Sequence, residues 1–249
     1  MSLKKYIFIL TFLFISNLFA NTNLVIDDNK NIYDNFEILY LKDETSLLKI
    51  DEISKREFSL TTKNKFTLGY TKGSAWFKLS IDNRSLNKNF ILSLNESFYE
   101  VANIYYFDGM WKKKQNSAFM LIEEREIKHN NLSFNIDLEP NQKQIFYIEL
   151  KAKYAYFGNI SIYKKSDFHF SHELAINSIF VFIFGIFVIV ILFNLFLYIQ
   201  VKEKIYIYYV GYSFFNLIYL IKISGFLVYV GLQKFIYDLQ LSAAFMIGF

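Results

Sequence analysis

Between Ser178 and Ile199 the chain reads SIFVFIFGIFVIVILFNLFLYI, apolar or small at every position except Asn194. A helix rises about 1.5 Å per residue, so this run spans roughly 33 Å, enough to cross the hydrocarbon core of a bilayer. The stretch predicts a transmembrane helix at about 178–199. QVKEK, residues 200–204, reads as a tight polar turn, and a second span is expected from Ile205 to about Ile221. Lys222, Ser224 and Gly225 break that pattern, and LQKFIYDLQ is too polar and too short to cross. Apolar character returns at about 239–249. Those residues are too few for a span, so they read as a third helix cut short and the chain as a fragment or truncated frame. An interfacial tail is the alternative.

The other end carries a targeting pattern. Lys4 and Lys5 form a positive region, Tyr6 to Phe14 is apolar, and SNLFA ends on Ala20. Residues 1–20 therefore read as a signal peptide, with an uncleaved anchor as the alternative. The expected organisation is a signal at 1–20, an extracytoplasmic domain at 21–173 and a membrane region at 174–249. Export of residues 21–173 would place Lys202 and Lys204 in the cytoplasm, in line with the positive-inside tendency. Tyr198, Tyr206, Tyr208 and Tyr209 would then sit at the inner interface. The location implied is the inner, cytoplasmic membrane, with residues 21–173 periplasmic.

Charge excludes one class of partner. The whole chain has 27 Lys and Arg against 23 Asp and Glu. The excess comes from Lys4, Lys5 and the lysines beyond residue 200, and the exported part is neutral. A neutral domain offers no basic face for phosphates, so nucleic acid is not an expected partner. Within the two spans no Asp, Glu, Arg or His occurs, which disfavours a transporter. Asn194 and Asn216 are the polar groups at membrane depth, and each is expected to hydrogen-bond between helices.

The exported part alternates with a period of two. Phe36, Ile38 and Tyr40 share one face, as do Phe90, Leu92 and Leu94; Leu132, Phe134, Ile136 and Leu138 form the clearest set. With Phe66–Gly69, Ala75–Asp82, VANIYYF, IFYIEL and NISIY, about eight strands are expected. A helical turn or two near Lys49–Lys55 is the best helical candidate. The fold expected is an antiparallel β-sandwich.

Motifs for catalysis do not appear. Cysteine is absent, which removes disulfides, thiolate metal sites and thiol nucleophiles. There is no Gly-rich phosphate loop, Walker lysine motif or zinc-protease helix. His169 and His172 are spaced to share a helix face, yet a third and fourth metal ligand cannot be placed, so a polar collar near the membrane is the plainer reading. The charged run EEREIKH reads as solvated surface. No enzyme activity, cofactor or metal is expected.

One strand raises a question. In GSAWFKLSIDN, Ala75, Phe77, Leu79 and Ile81 fall on one face and Trp76, Lys78, Ser80 and Asp82 on the other. Trp76 is either a structural lid, covered by the N-terminal segment, or an exposed platform. On the second option Trp76, with Trp111, stacks on a sugar ring while Lys78 or Asp82 hydrogen-bonds it. Trp111 lies in DGMWKKKQN, which reads as an exposed turn.

These pieces resemble a family. ILYLKDETS, LGYTKGSAWFKLSIDN and VANIYYF in the exported part, then FNLFLY, a short charged turn and the Tyr-rich YIYY, resemble the bacterial seven-transmembrane receptors with diverse intracellular signalling modules, in the version with the second type of extracellular sensory domain. The likeness covers roughly residues 36–235. It implies a jelly-roll-like sensory sandwich followed by a helical bundle, here truncated. It also implies a small or carbohydrate-like ligand, and a cytoplasmic signalling module in full-length relatives. No catalytic residues carry over. Dimerisation is common logic for such signalling, and a homodimer stays open. The expected function is the input half of a transmembrane receptor, sensing a ligand or a periplasmic partner. The alternatives are a membrane-anchored binding or adhesion module and an envelope-complex subunit.

Overall fold

The computed structural model describes residues 23–153 and 155–232, without the side chains of residues 169–177, 223, 227 and 230. The signal at 1–20 and the segment at 239–249 lie outside the described residues, as do the side chains of His169 and His172.

Thirteen strands follow one another: β1 (Asn23–Ile26), β2 (Ile32–Tyr33), β3 (Glu37–Asp43), β4 (Leu60–Lys63), β5 (Lys65–Gly69), β6 (Ser74–Asn83), β7 (Asn89–Ser93), β8 (Val101–Asp108), β9 (Met110–Asn116), β10 (Ser133–Asp137), β11 (Lys143–Lys151), β12 (Tyr156–Asn159) and β13 (Ser161–Lys164). The larger sheet runs β4-β3-β6-β11-β8-β9, with β1 also paired to β6. A second sheet runs β10-β7-β13-β2, and β12 pairs with β5. The inward residues of the two sheets meet in one core, among them Ile38, Phe77, Leu79, Leu92, Phe134 and Ile148. The alternation read from the sequence supplies this core directly. Side chains two apart share a face, and the apolar face is the one removed from water.

All eight expected strands are present, and five more accompany them. Those five are short or polar, so their alternation is weak. β9 is the instructive case. MWKKKQN is not the turn expected; the turn is Gly109, at φ +70°, which reverses the chain onto β8. β9 ends the large sheet, where lysines discourage further strand pairing. Among the described residues one pair, β1 with β6, is parallel and departs from the all-antiparallel expectation. It sends Leu24 and Ile26 into the core, opposite Ile81 and Asn83.

A one-turn helix, α1 (Ile50–Ile53), falls where a helical turn was expected. α2 (Lys165–Val201) begins on the residue after β13. Lys202, in the left-handed conformation at φ 60°, closes α2, and α3 (Lys204–Ser224) returns alongside it. Gly225, at φ 73°, ends α3 in the way glycine commonly does. Among the described residues, Ser178–Val201 is the one helical segment long and apolar enough to cross a membrane. The tyrosines of α3 dilute its apolar character.

Asn194 and Asn216 each make a hydrogen bond within their own helix. Asn194 Nδ2 donates to the Val190 carbonyl and Asn216 Nδ2 to the Tyr212 carbonyl, each at 2.8 Å. The carbonyl four residues earlier is a local partner that a helix offers to a short polar side chain.

Candidate functional site

Three places in the molecule gather polar or aromatic groups beyond what the core needs. The first is the outer face of the large sheet. Register sets Leu41 beside Trp76, Trp76 beside Glu149 and Glu149 beside Asn103. The next row is Leu39, Lys78, Tyr147, Tyr105 and Lys113. Trp76 is 1% exposed, in a cluster with Ile53, Phe58 and Tyr147, and its ring centroid lies 5.5 Å from that of Tyr105.

The N-terminal segment does not provide the cover expected for it, because β1 is drawn into the sheet. The β3–β4 connection does so instead, through Leu48, Ile50, Ile53 and Phe58. Trp76 is therefore not an open stacking surface, and its indole N–H has no hydrogen-bond partner among the described residues. Lys78 Nζ lies 5.9 Å from both the Phe58 and Tyr147 rings, a cation–π position that helps close the lid. Trp111 belongs to the rim of this cluster, edge-on to Tyr147 at 5.8 Å and to Phe107 at 5.4 Å. Asp82 stands apart at the other end of β6. It is held by Arg84 at 3.1 Å and Lys143 at 3.7 Å. The structure thus joins Trp76, Lys78 and Trp111 and leaves Asp82 out.

The second place is a cleft of about 690 Å³ at the end of the sheet where β3 and β11 finish and β6 and β8 begin. Glu44, Thr45, Ser46, Tyr70–Gly73, Glu100 and Lys151–Lys153 line it. Its walls are tied together. Asp43 Oδ1 accepts from the Thr45 backbone N–H and hydroxyl at 3.1 and 2.6 Å, and Oδ2 accepts from the Leu48 N–H at 3.1 Å. Burial alone would push the Asp43 carboxyl up, yet these hydrogen bonds outweigh it and hold it below its ordinary value. Gly73, at φ +86°, lets β6 start against this turn; a Cβ there would lie 2.0 Å from the Asp43 carbonyl oxygen. The Tyr156 hydroxyl accepts from the Ala152 N–H at 3.1 Å and donates to the Gly73 carbonyl. The sequence reading missed this cleft, although LGYTKGS marks one of its loops.

The third place is the junction with the helices. Arg125, expected at a solvated surface, is 4% exposed. Its guanidinium donates to the carbonyls of His129, Asn130 and Ser117 at 2.8, 3.0 and 3.0 Å. Burial pushes its pKa down to about 10. The loop so fixed places Asn130 under the end of α3, where its Nδ2 donates to the Ser224 carbonyl at 2.8 Å. Gly225 packs against Ser97, with room for no side chain. On the other side, fully buried Phe168 of α2 lies edge-on to Tyr163 at 5.3 Å and His129 at 5.2 Å. Glu96, next to Ser97, is pushed up to about 7 by burial.

Comparison with known families follows the same division of the chain. Residues 36–164 match the family model described as 7TMR-DISM extracellular 2, and residues 176–249 match the one described as 7TM diverse intracellular signalling. No curated protein matches the chain.

Proposed function

Because the chain belongs to the 7TMR-DISM family, as a membrane protein with an extracellular sensory domain and a 7TM region, we propose that it is the input half of a bacterial transmembrane receptor. In this reading residues 21–173 face the periplasm from the inner membrane and sense a small, carbohydrate-like ligand or a periplasmic partner. The change passes to the helices, and a cytoplasmic signalling module of full-length relatives reads it. The domain works by binding and movement, without catalysis.

One observation carries the proposal. β13 ends at Lys164 and α2 starts at Lys165, while the far end of α3 is hydrogen-bonded back to the domain through Asn130 and Ser224. No Gly/Ser-rich or Pro-rich linker separates strand from helix, so a displacement of β13 has no flexible segment in which to dissipate. The test is an insertion of several Gly-Ser residues between Ser166 and Ala175, made at the matching place in a family member that carries its output module. Ligand-dependent output should be lost while the domain stays folded. Unchanged output would favour the simple membrane anchor.

A further inference from the structure

The cleft between the β3–α1 turn, the β5–β6 turn and the β11–β12 turn gathers charges of both signs. Lys72, Lys151 and Lys153 line it, and among the described residues none of the three is in an ion pair. Lys153 lies within electrostatic reach of Lys222 at the end of α3. Glu44 and Glu100 supply acceptors, while the Thr45 and Ser46 hydroxyls are engaged within the wall, with Asp43 and Ser74. The Thr71 Oγ1 is buried without a hydrogen-bond partner among the described residues. Tyr70, 84% exposed, adds an aromatic ring to the lining.

We infer that this cleft binds a small anionic polyol group, one that carries a carboxylate or phosphate together with several hydroxyls. Three ammonium groups against two carboxylates favour an anion. Ionised carboxylates only accept hydrogen bonds, so Glu44 and Glu100 favour an occupant that donates from hydroxyls. A simple inorganic anion would meet those carboxylates with repulsion, whereas a polyol acid satisfies both signs of charge. The walls are fixed beforehand by the Asp43 turn, the Gly73 approach and the Tyr156 bridge, so little ordering is left to oppose binding. The same chemistry has two sources: a dissolved sugar acid or sugar phosphate, or the headgroup of an anionic glycerol lipid, since Lys153 of the cleft lies within electrostatic reach of Lys222 at the end of α3. The inference rests on the receptor reading by giving its sensory domain a site.

The test uses the full chain in nanodiscs. In phosphatidylcholine nanodiscs, galacturonate and glycerol 3-phosphate are titrated by calorimetry. In a parallel arm, native mass spectrometry measures retention of phosphatidylglycerol from mixed nanodiscs. Saturable binding of either solute supports a dissolved ligand, and selective retention of phosphatidylglycerol supports the headgroup. In either arm Lys151→Ala with Lys153→Ala should weaken binding at least tenfold, and the corresponding pair of Lys→Arg changes should restore most of it. Thr71→Val, which keeps the side-chain volume, should weaken binding severalfold and serves if the lysine variant misfolds. No binding in either arm, or wild-type binding by a folded lysine variant, overturns the inference. Its failure is distinct from that of the receptor reading: binding here with unchanged output in the insertion test sinks the receptor alone, and lost output with no binding here sinks the cleft alone.

Discussion

Asn130 and Ser224 are 94 residues apart in the chain and joined by one buried hydrogen bond of 2.8 Å, side-chain amide to helix-terminal carbonyl. The last carbonyls of any helix lack intrahelical donors, so a domain side chain here satisfies a need that the helix cannot meet. Removing the amide leaves the Ser224 carbonyl without this donor. Asn130→Ala should therefore cost about 1 kcal/mol and speed amide exchange around residues 222–228 in hydrogen-exchange mass spectrometry. Exchange indistinguishable from wild type would mean that the contact does not hold the helix.

Trp76 offers a test of the lid. Its ring fills the space between β6 and the segment carrying Ile53 and Phe58. Trp76→Ala should lower the stability of the domain by about 3–5 kcal/mol in chemical denaturation. Trp76→Phe should cost much less, because the indole N–H it discards has no partner among the described residues.

Gly73 and Gly69 have similar backbone angles and different surroundings. Both sit at positive φ, but a Cβ at Gly69 meets nothing within 4 Å, while one at Gly73 strikes the Asp43 backbone. Gly69→Ala should cost about 1–2 kcal/mol from the left-handed conformation alone. Gly73→Ala should cost distinctly more, since backbone on both sides must shift. Comparing the two midpoints in urea isolates the collision.

Glu96 predicts a dependence on pH with a definite sign. Burial raises its carboxyl from 4.5 to about 7. Between these values the folded domain holds a proton that the unfolded chain has released, so stability falls as pH rises through the window and levels off above it. Glu96→Gln should match wild type below about pH 4.5 and exceed it above pH 7 by on the order of 3 kcal/mol, at 1.36 kcal/mol per unit. Melting temperatures of both proteins from pH 4 to 8 would show it; parallel curves would rule it out.

Much of the architecture is legible in local patterns, and the exceptions have particular causes. Phe90, Leu92 and Leu94 reach the core as their spacing requires. β9 escaped notice because three adjacent lysines hide an edge strand, which needs only one apolar face or none. Arg125 escaped because a charged residue in a charged run looks solvated; its burial depends on three carbonyls that converge only after the loop closes. The cleft escaped for a similar reason. Glu44, Thr71 and Lys153 are spread over more than a hundred positions and meet only where four strands end together.

By itself the sequence determined that a long apolar helix follows a domain of alternating strands, because both patterns are set by neighbouring residues and by how each partitions between water and an apolar phase. Only the tertiary structure decided what lies over Trp76, which loops wall the cleft and how Asn130 reaches α3. Those outcomes depend on contacts between segments far apart in the chain, and no local periodicity encodes which distant segment arrives.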